Sequence, residues 1–358
     1  MRLLVITNDY PPKPGGIQQY LGNALDAFDG ELLVVAPADD AAAGTRRGEA
    51  AVVRNRRRFM WPTKSLARWI VEQAAPFRPD AILFGAPHPL PRLGAELRRR
   101  LHVPFGVICH GAEVTIPAAV PGARQALAGW LRQADVVFAV SEYTRRAVGA
   151  LTGREVVYLG AGVDHEAFHP GTKDGGSFVV GCVSRFVPRK GQDRLIRAVA
   201  LLHRRGVEVD LLLVGKGRTE QRLRKLAVHE AVPVRFEVAV PWEDLPGLYR
   251  QMDVFAMPCR SRWGGLEIEG LGLVFLEAAA SGLPVIAGDS GGAPETLIPG
   301  ESGYIATSPA AIAEAIELLM PAAREFGGRG RELVLSRFRW ELVAERLKAG
   351  LLTSTEQG

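Results

Sequence analysis

The chain has 358 residues, of which 47% are hydrophobic and 23% are charged. This length is too great for one ordinary hydrophobic core and fits two domains, and the composition is that of a globular protein rather than a disordered one. No apolar run reaches the roughly 18 residues of a membrane span, and the apolar stretch before Asn8 is too short for a signal peptide. We therefore expect a cytoplasmic protein.

The net positive charge of the chain is confined to its first part. Residues 1–165 hold 20 Lys/Arg against 15 Asp/Glu and the remainder holds 24 of each, so the whole formal net charge of +5 precedes residue 166. Two basic runs stand out, 98–100 and 54–58, and the second is followed by Phe59, Met60 and Trp61. Basic residues beside exposed apolar ones suit peripheral contact with the anionic inner face of the plasma membrane, although a solvated face of an Arg-rich protein also explains them.

Short β-branched runs alternate with helical patterns in the first half of the chain. The predicted strands are Leu3–Thr7, Leu32–Ala36, Ala81–Phe84, Phe105–Cys109, Val136–Val140 and Val156–Leu159. The predicted helices are Gln18–Phe28, Lys64–Phe77, Leu90–Leu101 and Ala123–Gln133. Strands that alternate with helices predict βαβ units, and apolar runs without alternation predict a parallel sheet covered on both faces.

A polar segment, Gly160–Ser177, interrupts the pattern, which then restarts. The predicted strands are Phe178–Val183, Val209–Val214, Val234–Glu237, Val254–Met257 and Val285–Ala287, and the predicted helices are Asp193–Arg204, Thr219–Glu230 and about Gly272–Ser281. The two series predict an α/β protein of two doubly wound, Rossmann-like domains, residues 1–165 and 166–338, facing each other across a cleft. For residues 339–358, the pattern predicts a helix that begins at Trp340 and packs back on the first domain.

Two loops at predicted strand ends carry candidate phosphate ligands, because ligands of such sheets bind at the carboxyl ends of the strands. Gly15 and Gly16 open the first helix, where backbone amides and the helix dipole favour an anion, although a simple turn also explains a Pro/Gly loop. Arg185 and Lys190 lie between the first strand and first helix of the second half, where they either bind phosphate or remain solvated surface cations.

The third loop leads from Gly264 into the predicted helix at 272. Glu269 precedes the turn and either contacts a ligand or caps the helix. Glu277 lies eight residues further on among apolar neighbours, so its carboxylate needs a partner such as the hydroxyls of a ribose. The amides from Gly270 to Leu273 are placed to hold a diphosphate at the start of the helix.

These motifs resemble the retaining glycosyltransferases of family four, which have the GT-B fold. The resemblance rests on three strings: Gly15-Gly-Ile-Gln-Gln-Tyr-Leu21, Ser184-Arg-Phe-Val-Pro-Arg-Lys-Gly-Gln-Asp193 and Glu269-Gly-Leu-Gly-Leu-Val-Phe-Leu-Glu277. It covers essentially the whole chain. Within the family, the sequence is most similar to actinobacterial enzymes that extend phosphatidylinositol mannosides with GDP-mannose.

The resemblance implies a role for each candidate residue. The first domain would bind the acceptor and the second the nucleotide sugar. Gly15 and Gly16 would face the donor phosphates, and Arg185 and Lys190 would neutralise them. Glu269 would contact the hexose and Glu277 the ribose, while His110 would lie near the transferred sugar and the acceptor. The amides of the turn would bind the distal phosphate: Gly270, Leu271, Gly272 and Leu273.

The sequence departs from these relatives at the acceptor side. Relatives with a phosphoinositide acceptor carry a second His and a Trp-containing stretch where this chain has Ala112 and Thr115-Ile-Pro-Ala-Ala119. The acceptor is therefore either a lipid-linked glycan of the phosphatidylinositol mannoside type or a soluble cyclitol or secondary metabolite, the latter with a UDP-sugar as an alternative donor. We expect no nucleic-acid partner.

We expect no metal and no other cofactor. The sequence contains no Asp-x-Asp, and Cys109, Cys182 and Cys259 lie in apolar segments without metal-ligand spacing. Arg185, Lys190 and a helix N-terminus would then stabilise the departing diphosphate. No nucleophilic carboxylate can be assigned, so we expect front-face substitution with retention.

Three other classes of protein fit parts of the sequence. An epimerase or phosphorylase of the same fold would need a different base set or a lysine for pyridoxal phosphate, and no such site stands out. A dinucleotide-dependent oxidoreductase is supported only by Val214-Gly-Lys-Gly217, which lacks the third glycine and which a turn explains. A non-catalytic sugar-nucleotide-binding protein also stays open, and hydrolysis of the donor would distinguish it from an enzyme.

Overall fold

The computed structural model describes residues 1–13, 15–39, 50–173 and 175–356. Two compact units emerge, one formed by Met1–Gly162 with the C-terminal segment from Trp340, the other by Val163–Arg339. Pro14 of the first glycine loop, Asp174 of the polar segment and the last two residues lie outside the described residues.

The first unit is built on a seven-stranded parallel sheet with strand order β3-β2-β1-β4-β5-β6-β7. The strands are β1 Arg2–Ile6, β2 Glu31–Ala36, β3 Ala51–Arg54, β4 Ala81–Phe84, β5 Phe105–Cys109, β6 Val136–Ala139 and β7 Val157–Tyr158. The helices are α1 Gly16–Asp26, α2 Lys64–Ala74, α3 Gly94–Leu101, α4 Ala112–Ala118, α5 Pro121–Gln133 and α6 Glu142–Thr152. Three of these elements, β3, α4 and α6, were not predicted.

The central strands of this sheet are covered on both faces, as their uninterrupted apolar sequences predict. Leu4, Ile6 and Phe84 are fully buried, and the Phe84 ring meets the Phe105 ring edge-on at 5.8 Å between centroids. Gly94 opens α3 where a Cβ would lie 2.5 Å from the Phe105 ring, so this glycine lets the helix approach the sheet.

The second unit is a six-stranded parallel sheet of order β10-β9-β8-β11-β12-β13. Its strands are β8 Val179–Val183, β9 Asp210–Val214, β10 Val234–Glu237, β11 Val254–Met257, β12 Val285–Ala287 and β13 Gly303–Ile305. Its helices are α7 Gln192–Arg204, α8 Glu220–His229, α9 Leu245–Tyr249, α10 Leu273–Ala280, α11 Pro309–Leu319 and α12 Ala323–Arg337. Elements β13, α9, α11 and α12 were not predicted, but the prediction of two parallel α/β sheets is confirmed.

The last helix, α13 Trp340–Glu356, belongs to the first unit. Its buried face includes Val343, Leu347 and Leu351, and a Cβ at Gly350 would lie 2.6 Å from the Phe138 ring, so a glycine is required where the helix crosses β6. At the start of the helix, the Trp340 ring meets the Tyr20 ring at 5.3 Å. The helix thereby completes the hydrophobic cover of this sheet.

Within the described residues, no helix is both long enough and apolar enough to cross a membrane.

Candidate active site

The loop between β8 and α7 is held in one conformation by contacts with its neighbours. The Gln192 amide donates to Ser184 Oγ (2.8 Å) and to the Arg185 carbonyl oxygen (3.0 Å). Gly191 has φ 81°, and a Cβ there would lie 2.1 Å from the Pro258 carbonyl oxygen, so only glycine fits this close approach. The result is a fixed loop in which the Lys190 side chain is buried and the Arg185 side chain is exposed.

Lys190 lies against the carboxylate of Glu269, at 2.8 Å between Nζ and Oε2. Arg189 Nη1 contacts the same oxygen. Both acid and cations are largely withdrawn from solvent, with 9% of the Glu269 side chain, 9% of the Lys190 side chain and 14% of the Arg189 side chain exposed. Because charges so placed lose hydration, each of them needs an opposite charge close by.

The electrostatics keep Glu269 ionised. Burial alone would raise the pKa of Glu269, but the charges of Lys190 and Arg189, and the hydrogen bonds they donate, outweigh it and hold the pKa below its ordinary value. The group therefore stays anionic at neutral pH despite its burial.

The described residues engage one oxygen of the Glu269 carboxylate. Both cations contact Oε2, and no described residue donates a hydrogen bond to Oε1. The backbone around the residue is fixed, since its amide donates to Ser290 Oγ (3.2 Å) and its carbonyl oxygen accepts from the Gly292 amide (3.1 Å). A fixed carboxylate with one open oxygen is suited to accept a hydrogen bond from a ligand hydroxyl.

The turn after Glu269 leaves donors unused at the start of α10. Gly272 has φ 92°, in the left-handed region, and none of the amides of Gly270, Leu271, Gly272 and Leu273 donates to a described residue. Unpaired amides at a helix N-terminus attract an anion. This arrangement agrees with the phosphate role that the resemblance implies.

Glu277 lies in the second turn from that end of α10 and is 4% exposed. The Tyr249 hydroxyl donates to Glu277 Oε2 (2.8 Å). Burial, followed by the charge of Glu277, raises the pKa of Tyr249 well above its ordinary value, so the hydroxyl stays protonated and acts as a donor at neutral pH. The carboxylate thus has a protein partner that the sequence did not reveal, and the predicted ribose contact remains to be tested.

His110 lies in the first unit, directly after β5. Its Nε2 N–H donates to the Gly85 carbonyl oxygen (2.8 Å), beyond the end of β4, and its ring meets the Tyr20 ring edge-on at 5.1 Å. In the neutral ring this leaves Nδ1 as an acceptor, and no described residue donates to it. The backbone amides of His110 and Gly111 both donate to Glu113 Oε1, which fixes the start of α4.

Gly15 and Gly16 are exposed at the start of α1. A Cβ at Gly15 would lie 2.1 Å from Gln18 Oε1, and Gln18 is itself held by a hydrogen bond to Asp9 Oδ1 (2.6 Å). No described residue lies within 4 Å of a Cβ at Gly16. A bare glycine pair at a helix N-terminus can accommodate a closely approaching anion.

The structure thus brings Lys190, Glu269 and the unpaired amides of the α10 turn into one part of the second unit. The Arg185 side chain makes no hydrogen bond or ion pair with any described residue, which leaves its guanidinium available to a ligand. Arg189 was missed, because its partner Glu269 lies 80 positions away and no local pattern signals the pair. The segment Val214-Gly-Lys-Gly217 is a packed turn, in which Cβ atoms at Gly215 and Gly217 would clash with the carbonyl oxygens of Ser184 and Phe186.

The described residues contain no group of three or more His, Cys, Asp or Glu side chains arranged to hold a metal ion. All three cysteines are buried and free.

Comparison with known proteins identifies the class of protein. Residues 15–167 match the family described as Glycosyltransferase Family 4, and residues 164–325 match Glycosyl transferases group 1. The chain is also 37% identical, over 97% of its length and 96% of the relative's, to the GDP-mannose-dependent monoacylated alpha-(1-6)-phosphatidylinositol monomannoside mannosyltransferase of Corynebacterium glutamicum. The chain therefore belongs to the family-four glycosyltransferases and is a hexosyltransferase, which confirms the resemblance stated from the sequence.

Other relatives extend this similarity. The GDP-mannose-dependent alpha-(1-6)-phosphatidylinositol monomannoside mannosyltransferases of Mycolicibacterium smegmatis and Mycobacterium tuberculosis are each 38% identical to this chain, over 96% and 97% of its length and 97% of theirs.

Solved structures confirm the GT-B fold. Anabaena HepE, in complex with UDP-glucose, matches with a TM-score of 0.79 over 99% of this chain and 100% of its own, at 23% identity. Sucrose-phosphate synthase from Thermosynechococcus elongatus matches with a TM-score of 0.83 over the full length of both chains, at 20% identity.

Proposed function

We propose that the protein transfers mannose from GDP-mannose to a glycolipid of the phosphatidylinositol mannoside type, with retention at the anomeric carbon. The observation that carries the proposal is the full-length identity of 37–38% to relatives that are named for this donor and this acceptor. The charged cluster of the second unit supports the donor half, because it offers fixed groups for a diphosphate and for a sugar.

The donor would be bound by groups of opposite kinds. Arg185 and Lys190, with the unpaired amides at the start of α10, would neutralise the diphosphate, and the open Oε1 of Glu269 would accept a hydrogen bond from a hexose hydroxyl. Glu277 would accept from the ribose hydroxyls. Cations and dipoles fixed in advance stabilise the charge that develops on the leaving group, which is the work a metal ion does in other transferases.

The configuration at C1 is retained when the leaving group departs from the same face of the sugar that the acceptor attacks. The bond from C1 to the leaving phosphate oxygen breaks, the acceptor oxygen forms its bond to C1 on the same face, and the acceptor proton passes to the leaving phosphate oxygen. His110, whose Nδ1 is open, would accept a hydrogen bond from a sugar hydroxyl and orient it. A trapped covalent adduct between mannose and any carboxylate of this chain would contradict this mechanism.

A lipid-linked acceptor is supported by the segment 56–61 in the first unit, which we call the basic–aromatic segment. Arg56, Arg57 and Arg58 are exposed, as are Phe59 and Trp61, whose rings lie 4.8 Å apart. A cavity of about 540 Å³ adjoins the segment and is lined by Arg56, Arg57 and Trp61 among others. Cations beside aromatic rings suit the boundary between phosphate groups and acyl chains.

The structure corrects two details of the predicted membrane contact. Met60 is buried in the hydrophobic core of the first unit, and the Asn8 side chain holds its backbone by donating to the carbonyl oxygen (3.2 Å) and accepting from the amide (2.8 Å). Arg54 ends β3 and donates to the carbonyl oxygens of Pro11 (2.6 Å) and Pro37 (3.2 Å). Neither residue is available to a lipid surface, so the candidate contact is limited to the basic–aromatic segment.

The donor is tested with a panel of GDP-, UDP- and ADP-sugars. Selective binding stabilises the folded protein by mass action, by about 2.7 kcal/mol at a ligand concentration 100 times the Kd, and therefore raises the melting temperature. We expect stabilisation by GDP-mannose and transfer to phosphatidylinositol mannoside, both unaffected by EDTA. Stabilisation by a UDP-sugar alone, with transfer to a soluble cyclitol, would favour the alternative function, and binding without transfer or hydrolysis would favour a non-catalytic protein. Activity abolished by EDTA and restored by Mg²⁺ would refute metal independence.

A further inference from the structure

The Glu269 carboxylate has one more cation than its own charge requires. Arg189 and Lys190 both contact Oε2, so the three groups together carry one positive charge in excess. Arg189 also lies 3.9 Å from Glu267 Oε1, and Arg262 lies 3.0 Å from Glu267 Oε2. The five side chains form a charged network with three cations, two anions and a net charge of +1.

The excess positive charge matters because two anionic partners compete for Lys190. In this structure its ammonium contacts Glu269, whereas the proposed function requires it at the donor diphosphate. If Lys190 were the sole cation of Glu269, its departure would leave a buried carboxylate without a counter-charge, which is strongly unfavourable. Arg189 removes the conflict, since its guanidinium remains on the carboxylate.

The two cations also differ in their freedom. Arg189 offers a planar fork of donors and contacts two acids, Glu269 and Glu267, so its position is fixed by several interactions. Lys190 is a compact charge on a flexible stem, and among the described residues its one carboxylate partner is Glu269. Lys190 is therefore the cation that can turn to a ligand, and Arg189 the one that stays.

We propose that Arg189 is a positioning residue: it holds Glu269 in place as the permanent counter-charge, so that Lys190 is released to bind the donor diphosphate. This inference rests on the proposed function, in which Lys190 and Glu269 bind the donor. Arg189 itself needs no contact with the substrate, and its effect is transmitted through Glu269.

A pH effect follows from the groups that face Glu269. Arg189 and Lys190 lower its pKa, while Cys259 is neutral, since burial and then the charge of Glu269 raise the pKa of its thiol to about 12. Loss of Arg189 removes one of the two charges that oppose burial, so the pKa of Glu269 rises. Protonation of Glu269 would then begin at a higher pH, and the acid limb of the profile of kcat/KM against pH should move upward.

The test compares Arg189→Gln and Arg189→Lys in the full chain, with Arg205→Gln as a matched control. Arg205 forms an exposed pair with Glu317 (2.6 Å) in the same unit and does not contact the network. We expect Arg189→Gln to raise the KM for the donor about tenfold, the scale of one 1.4 kcal/mol interaction, with a smaller change in kcat. Arg189→Lys should recover most of the donor affinity, and the control should match the wild type.

A double-mutant cycle with Lys190→Ala adds a reading that a merely structural role would not change. If Arg189 acts by releasing Lys190, the loss of Lys190 should raise the donor KM less in the Arg189→Gln protein than in the wild type. Additive effects, or an Arg189→Gln protein with a wild-type KM and pH profile at a temperature where it is folded, would overturn the proposal.

The outcome remains separable from that of the proposed function. If the wild type binds no nucleotide sugar in the thermal-shift panel, the proposed function itself is wrong. If the wild type binds one and Arg189→Gln binds it equally well at every pH, only the role of Arg189 is refuted.

Discussion

The charged network of the second unit and the basic–aromatic segment of the first hold similar residues in opposite ways. In the network, Arg189 and Lys190 contact an acid from a distant part of the sequence, and at most 27% of any of the five side chains is exposed. In the segment, Arg56, Arg57 and Arg58 are exposed. Buried pairs fix geometry and are little affected by salt, whereas exposed charges act through a screened surface field. The first arrangement suits recognition of one ligand, and the second suits contact with a charged surface.

The largest effect should follow from the loss of a cation at the donor site. We expect Lys190→Ala and Arg185→Ala each to reduce turnover about 10²-fold or more, the scale of one lost charge donor to the transition state. Stability should separate the two variants. Arg185 is exposed and unpaired among the described residues, so its loss should leave the melting temperature unchanged, whereas the loss of buried Lys190 should lower it.

Steady-state kinetics and thermal melts measure both effects. Lys225→Ala removes an exposed cation from α8 and serves as the control. Wild-type turnover in both variants at the donor site would assign the cations to the fold alone.

The next effect in size concerns Glu277. The change Glu277→Gln keeps an acceptor for the Tyr249 hydroxyl but removes the charge, so we expect donor binding to weaken by about 1.5–3 kcal/mol, roughly 10- to 100-fold. Calorimetric titration with the donor measures the change. Tyr249→Phe is the control, because it removes the protein partner without touching a ribose and should change stability more than donor affinity. Equal donor affinity in wild type and Glu277→Gln would leave Glu277 with a structural role.

Much of the fold follows from local sequence. Five strands have the predicted ends, β4, β5, β10, β11 and β12, and the remaining predicted strands differ by one or two residues, because uninterrupted apolar runs define buried parallel strands. Strand β3 was missed because it has four residues and ends in the arginine of a basic run. Helix α4 was missed because Thr115, Ile116 and Pro117 disfavour a helix, and its start depends on the Glu113 side chain that accepts from two backbone amides.

The site was predictable where it depends on loop position and not where it depends on pairing. Lys190 and Glu269 were singled out because each follows a strand end, but their contact at 2.8 Å joins residues 79 positions apart. Arg189 and Tyr249 escaped notice because their partners are acids that only the folded sheet brings near. Met60 was expected at the surface because its neighbours are basic, but it belongs to the hydrophobic core of the first unit, where the Asn8 side chain, 52 residues away, holds its backbone.

The smallest effect per residue is expected in the basic–aromatic segment. Each basic residue near an anionic surface contributes about 1 kcal/mol, so a single change such as Arg57→Ser should weaken vesicle binding about fivefold, and the triple change of Arg56, Arg57 and Arg58 to Ser should abolish it. Co-sedimentation with anionic and neutral vesicles at low and high salt measures this, since an interaction of exposed charges weakens as salt shortens the screening length.

The second basic run is the matched control. There Arg98 is paired with Asp135 (2.9 Å) and Arg100 with Glu96 (2.8 Å), so replacing Arg98, Arg99 and Arg100 should change binding much less. Equal, negligible binding of the wild type to both kinds of vesicle would exclude the membrane contact and favour a soluble acceptor, an outcome for which Ala112 and the neighbouring α4 sequence already leave room.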